Sequence, residues 1–354
     1  MKRVLVTEIE KIFTENNDKC AKRRNKRVGH LTQEKRLSVI STFIADLYQL
    51  GFRLEKISNI REKHIQAWVD FMVKNNQQPA TIQNKLSVLR IFCSWIGKKG
   101  MVKSPECYVV DPTKVKRTTA TKIDKSWPPE KIKILIEIAI DIDEIVGLQL
   151  QLCHAFGLRR TEAIMLKPKI ADEGETLHVR WGTKGGRPRL VPIVSEYQRA
   201  VLDKAKSMCD DKKGVVCRPG KTLEQAINRF KYIMSSCGIT KKLEGVVAHG
   251  LRHGYVHRRY EERTGGAKLP IKGGTPGQID NQLEKVAKMK IMEEVGHSRE
   301  SVTTAYGGSF GHASRKKTVY QPLTQKGYEN MCYLMEQAFK NGFMSISEDE
   351  DKPI

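Results

Sequence analysis

Five short stretches of the 354-residue sequence carry the side chains that could break a phosphodiester without metal or water. That chemistry needs a nucleophile, fixed cations around a phosphorane whose equatorial oxygens gain charge, and an acid for the departing oxygen. Arginine suits the second task, because its planar fork binds two oxygens at once and stays protonated, so a pair of arginines makes a natural clamp. Arg159 follows a turn at Gly157 and has Glu162 three residues on, while Arg252 lies three residues after His249, on neighbouring helical positions. Lys184 sits in a glycine-rich stretch, and His297 follows Gly296, nine residues ahead of Tyr306. Each fragment alone has a plainer reading. Arg-x-x-Glu serves as a helical ion pair and His-x-x-Arg as a surface pair, and a histidine at a helix C-terminus is favoured by the dipole. On the same terms Tyr306 is a packed or surface tyrosine and Lys184 an exposed charge.

The elements that must position these residues are mostly helical. From Leu31 to Gly97 apolar residues recur at three- and four-residue spacing, as in Leu37, Ile40, Phe43, Ile44 and Leu47, and again in Ile82, Leu86, Leu89, Ile91 and Phe92. This predicts a small bundle of about four helices. Ser104 to Pro129 mixes Pro, Thr and Lys with little apolar content, and Ser126-Trp127-Pro128-Pro129-Glu130 reads as a helix start with proline in its first turn. Ile132 to Phe156 reads as two helices broken near Asp141. Leu177–Trp181 and Leu190–Val194 read as strands of a hairpin whose basic tip, Gly182 to Arg189, projects outward. Helical patterns return at Thr222–Ser236, Gly250–Glu262, Gln282–Val295 and Gln325–Phe339, and residues 264–280, rich in Gly, Pro and Lys, read as a surface insertion. The division expected is a basic arm over 1–30, a helical domain over 31–108, a linker over 109–125, a second domain over 126–340 and an acidic tail over 341–354.

Lys and Arg number 63 against 40 Asp and Glu, and a formal charge of +23 asks for a polyanionic partner, nucleic acid first. The eight cysteines include no C-x-x-C pair and no zinc-ligand spacing, so they read as reduced, and no metal or cofactor site is expected. The N-terminus lacks a signal-peptide apolar run, and no stretch approaches the roughly 18 apolar residues of a membrane span. A cytoplasmic, nucleoid-associated protein is the expectation.

Taken together, the order and spacing of the five stretches resemble those of the tyrosine recombinase and phage integrase family. Ala155-Phe156-Gly157-Leu158-Arg159-Arg160-Thr161-Glu162 is similar to that family's first arginine box. Thr183-Lys184-Gly185-Gly186-Arg187-Pro188-Arg189-Leu190-Val191-Pro192 resembles its lysine-bearing hairpin, and His249-Gly250-Leu251-Arg252-His253 its His-x-x-Arg box. Gly296-His297-Ser298 followed by Tyr306 matches the closing box and nucleophile, and Thr81 to Arg90 resembles the last helices of the core-binding domain.

The resemblance implies a mostly α fold with a small antiparallel β-sheet in the catalytic domain, two domains closing on DNA as a C-shaped clamp. It also implies roles. Tyr306 attacks phosphorus to give a 3′-phosphotyrosyl link, Arg159 and Arg252 hold the non-bridging oxygens, and His297 adds a hydrogen bond. His249 accepts the tyrosine proton, Lys184 protonates the 5′ oxygen, and Glu162 orients the first box. The implied partners are double-stranded DNA at specific recombination sites, a homotetramer in the synaptic complex that exchanges the helix around Tyr328 to Phe339, and accessory DNA-bending or directionality proteins. Two departures stand out: the Arg252 to His297 gap is lengthened by residues 264–280, and about 30 residues precede the bundle, too few for a separate arm-binding domain. A type IB topoisomerase, a telomere resolvase and a catalytically inactive DNA-binding regulator are the competing readings.

Overall fold

In the computed structural model, residues 3–19, 27–209, 214–297 and 302–310 are described. The expected helix over Gln325–Phe339, the acidic tail and most of the basic run at 19–27 lie outside them. Contacts divide the chain into two units, Met1–Thr119 and Ala120–Ile354.

The first unit packs α1 (Arg3–Asn16), α2 (His30–Gln49), α3 (Glu62–Lys74) and α4 (Pro79–Trp95) around one core. Phe43, Trp68, Leu86 and Phe92 are buried at its centre, and Trp68 satisfies its indole N–H on Asp46 Oδ2 at 2.7 Å. Within the expected arm, residues 3–16 form α1. Leu5, Ile9 and Phe13 recur every fourth residue, and α1 buries that stripe, setting Phe13 edge-on to Trp95 at 5.4 Å. The stripe is three residues long, and the basic run that follows it masks it in the sequence.

The second unit is built around α6 (Glu144–Phe156), whose residues are buried nearly all round between α5 (Pro129–Ile142), α9 (Glu196–Met208) and α11 (His249–Arg263). Pro129 opens α5 in its first turn. The α5–α6 break falls at Asp143, whose carboxylate caps α6 by accepting from Val146 N and takes Arg229 at 2.8 Å on its other oxygen. α6 ends at Gly157, left-handed at φ 61°, where a Cβ would stand 2.5 Å from the Tyr255 ring. Only glycine meets both conditions, and the turn delivers Arg159 to the start of α7 (Arg160–Met165).

The short helix α8 (Pro168–Ala171) leads into β1 (Thr176–Val179), which pairs antiparallel with β2 (Arg189–Pro192) in the register Val179↔Arg189. The hairpin tip at Lys184, Gly185 and Gly186 is exposed. α10 (Leu223–Ser236), α12 (Asn281–Glu294) and the five-residue α13 (Thr303–Gly307) follow among the described residues. Residues 264–280 are not wholly superficial, since Leu269 is 3% exposed and joins the core with Ile271 and Ile279 partly buried beside it. Among the described residues no helix is long and apolar enough to cross a membrane.

Candidate active site

The first element of the site is a carboxylate. Glu162 is fully buried on α7, and three arginines from three separate elements surround it. Arg159 Nη1 reaches Oε1 at 2.6 Å, Arg189 takes both oxygens at 2.9 and 2.7 Å, and Arg252 Nη1 stands 3.7 Å from Oε2. Burial alone would raise this carboxyl, but the Arg189 fork and Arg159 bring it down to about 2. A buried charge on this scale is tolerable only because it is fully paired.

The second element is the C-terminal end of α12, whose free carbonyls receive the same three arginines. Glu294 O accepts from Arg189 Nε at 2.7 Å, and Val295 O accepts from Arg252 Nη2 and, at 3.4 Å, from Arg159 Nη2. The Glu294 side chain is itself buried and accepts from Tyr255 at 2.7 Å, from both sides of the Arg259 fork, and from Arg263. Arg252 is wholly buried, and its Nη1 donates to Gly157 O at 2.7 Å.

Tyr306 meets this assembly on α13. It is 4% exposed, and its hydroxyl lies 3.1 Å from Arg252 Nε and 3.1 Å from His297 Nε2. Burial, followed by Arg252, Arg159, Arg189 and Lys184, pushes the His297 imidazole down to about 4, so the ring is neutral at pH 7. Arg252 Nε can only donate, so the hydroxyl oxygen accepts there, while the direction of the bond to His297 is set by the imidazole tautomer. His249 reaches solvent, yet its protein surroundings, with Arg252 and Arg159, also hold it down to about 4. Its ring centre is 6.1 Å from that of Tyr306, and no hydrogen bond joins the two.

Arg159, Glu162, His249, Arg252, His297 and Tyr306 therefore converge. Lys184 stands apart on the exposed hairpin tip, where its charge reaches His297. Three further residues belong to the site and escape the sequence analysis: Arg189, His253 and His257. His253 packs against Tyr306 with ring centres 4.7 Å apart and planes tilted by 50°, and His257 Nε2 donates to Tyr306 O at 3.0 Å. The signal for the two histidines was the i, i+4, i+8 spacing from His249 along α11, while Arg189, on β2, carried none.

His253 gives a pH prediction. It is 4% exposed, and burial, then His249 and His257, lower its pKa from 6.5 to about 3. The folded chain thus binds one proton fewer than the unfolded chain between those values, so its contribution is full above pH 6.5 and is lost as pH falls. Between pH 6.5 and 5 the loss is about 2 kcal/mol at 1.36 kcal/mol per pH unit. Urea unfolding should show a correspondingly shallower pH dependence for His253→Gln than for the wild type. Equal slopes would contradict the assignment.

The helical first unit and the mostly helical second unit with its small antiparallel hairpin have the two-domain architecture of the tyrosine recombinases. Residues 16–102 match the N-terminal phage integrase family and residues 114–258 the integrase family. The chain belongs to the phage integrase and tyrosine recombinase family. It is similar to tyrosine recombinase XerC of Corynebacterium glutamicum, 23% identical over 79% of this chain and 83% of that one. Tyrosine recombinase XerD of Rickettsia prowazekii is also 23% identical, over 79% of this chain and 89% of that one. In fold it resembles lambda integrase, solved as a dimer bound to a COC′ core site, with a TM-score of 0.54 and 15% identity over 86% of this chain and 95% of that one.

Proposed function

We propose that the chain is a site-specific DNA strand transferase that cleaves and rejoins duplex DNA through a 3′-phosphotyrosyl intermediate, in the integration or excision of a mobile element. The observation that carries this reading is the Tyr306 hydroxyl held between Arg252 Nε and His297 Nε2, beside the carboxylate shared by Arg159 and Arg252.

A guanidinium has five N–H groups, and three on Arg252 are engaged by Tyr306, Gly157 and Val295, leaving two, which no described residue takes, for phosphate oxygens. Among the described residues Arg159 has two engaged, by Glu162 and Val295, and keeps three. The two forks are thus fixed by protein partners before substrate arrives, which limits the reorganisation needed to stabilise a transition state. With a phosphate seated, His297 donates to a non-bridging oxygen and His249 takes the tyrosine proton. Tyr306 Oη forms a bond to phosphorus, the bond to the 5′ oxygen breaks, and Lys184 protonates that oxygen. Attack by a 5′ hydroxyl of a second strand reverses each step and restores a phosphodiester. One ester is exchanged for another, so no nucleotide is consumed.

The partner is duplex DNA, in keeping with the +23 charge, and four copies act on two duplexes, as the recombinase resemblance implies. Incubating the chain with nicked fragments of the DNA of its own cell, then denaturing and sequencing the protein-linked strands, tests the reading and reveals the site. Strands ending in a 3′ peptide opposite free 5′ hydroxyls are expected, and a complete absence of protein-linked DNA would refute it.

Lys184 supplies a narrower prediction. A sulfur in place of the bridging 5′ oxygen makes a leaving group that hardly needs protonation, so a general acid becomes dispensable there while a charge clamp does not. Lys184→Ala should be badly impaired on the oxygen substrate and largely restored on the 5′-bridging phosphorothiolate in single-turnover cleavage with saturating enzyme. Equal impairment on both substrates would leave Lys184 as a groove contact only.

A further inference from the structure

The nucleophile sits on a helix too short to hold itself. One turn of helix fixes several backbone dihedrals for very few hydrogen bonds, so α13 depends on what surrounds it. Besides the contacts to the Tyr306 side chain, four contacts among the described residues bear on its backbone. Thr121 N donates to Thr304 O at 2.9 Å, and His257 Nε2 donates to Tyr306 O at 3.0 Å. Leu269 is seated on Gly307 so closely that a Cβ there would lie 2.6 Å from Leu269 Cδ2. Gly308, at φ 78°, is flanked by Thr121 O and Ile271 N, 3.4 and 3.5 Å from where its Cβ would be.

Two of those contacts come from residues 264–280, and that segment is built rather than loose. Leu269 O accepts from Lys272 N and Gly274 N, and Lys268 N donates to Gln278 Oε1 at 3.1 Å. A Cβ at Gly274 would fall 1.8 Å from Lys268 O, so the turn closes on its own backbone where only glycine fits. The segment is tied to the chain ahead of α5 by the Lys272–Asp124 ion pair at 2.8 Å, and Asp124 is fixed in turn by Ser126 N and Oγ.

We propose that residues 264–280, with Thr121 to Asp124, form a brace that positions the Tyr306 helix for attack, and that Leu269 is its positioning residue. This rests on the strand-transfer reading above and gives the insertion a task that the recombinase motifs do not contain. Leu269 touches no reacting atom. It acts through Gly307, the residue next to the nucleophile, and a misplacement of about 1 Å at the reacting atom can cost about 100-fold in rate.

The test is a double-mutant cycle. Leu269→Ala empties the seat over Gly307, and Gly307→Ala drives a methyl into it. Each is expected to slow single-turnover adduct formation on the order of 10- to 100-fold while DNA affinity stays within about twofold. In the double variant the new methyl occupies the vacated space, so the rate should recover toward the wild type instead of falling by the product of the two. Leu269→Met, similar in volume, should retain most activity, and it carries the test if the alanine variant fails to fold. Leu202→Ala, a buried leucine on α9 that packs against α6, controls for simple loss of stability and should leave the rate unchanged. Amide hydrogen exchange over residues 302–310 reads the brace without any cleavage and should speed up in Leu269→Ala but not in Leu202→Ala. Faster exchange in Leu269→Ala from a wild type that makes no adduct would fault the strand-transfer reading and leave the brace standing. Unchanged exchange, a wild-type adduct rate in Leu269→Ala, or independent multiplication of the two single effects would overturn the brace.

Discussion

Tyr306→Phe is expected to form no covalent protein–DNA adduct while binding duplex DNA nearly as tightly as the wild type. The substitution removes one oxygen. Affinity for DNA is dominated by lysine and arginine contacts to phosphates, of which this oxygen is no part. The phenyl ring keeps its packing on His253. What is lost is the nucleophile, together with the acceptor for Arg252 Nε, so the free protein is left with an unpaired buried N–H. A stability loss of about 1–3 kcal/mol should accompany the change. A nicked suicide substrate run on a denaturing gel, beside a filter-binding isotherm, separates the two effects. Any protein-linked strand from the variant would show that another residue attacks.

Arg252→Ala should lower the single-turnover cleavage rate on the order of 10²–10³-fold or more, by analogy with the removal of one preorganised donor from an oxyanion hole. The argument rests on burial and geometry together. Arg252 is wholly enclosed, and burial weighs against its charge, yet Tyr306 and Glu162 favour it and three partners fix the fork before substrate arrives. Truncation also deprives Gly157 O and Val295 O of a charged donor, so the thermal midpoint must be measured alongside the rate at saturating DNA. Arg252→Lys keeps a charge and loses the fork, and it should stay strongly impaired because one ammonium cannot reach both carbonyls, the hydroxyl and a phosphate. Near-normal cleavage by a folded Arg252→Ala would remove it from the clamp. The same loss is expected of Arg159→Ala, with a smaller one at His297, whose contribution is a single hydrogen bond.

The sequence alone determined the local parts, because their causes are local. Apolar periodicity marked most of α2, α4, α10, α11 and α12, proline set the start of α5, and alternation with a glycine-rich turn marked the hairpin. Motif order singled out Arg159, Glu162, His249, Arg252, His297 and Tyr306, and the structure brings them together. What had no local cause required the tertiary structure.

Arg189 occupies the inward side of β2, next to buried Val191 on the same face. A pattern read from hydropathy sends an arginine outward, and only the buried Glu162 on another element reverses that. Glu294 reads as a surface glutamate of an amphipathic helix, but Arg259, Arg263 and Tyr255 from α11 enclose it and so fix the α12 terminus on which the clamp arginines rest. Leu269 lies in a segment whose glycines, prolines and lysines all signal solvent, and its burial against Gly307 is a contact across almost forty residues of sequence. The chain decides by itself where it turns and which stripes are apolar. Which charges meet is decided by folding, since a charge can be buried only where an opposite charge from a distant element arrives to pair with it.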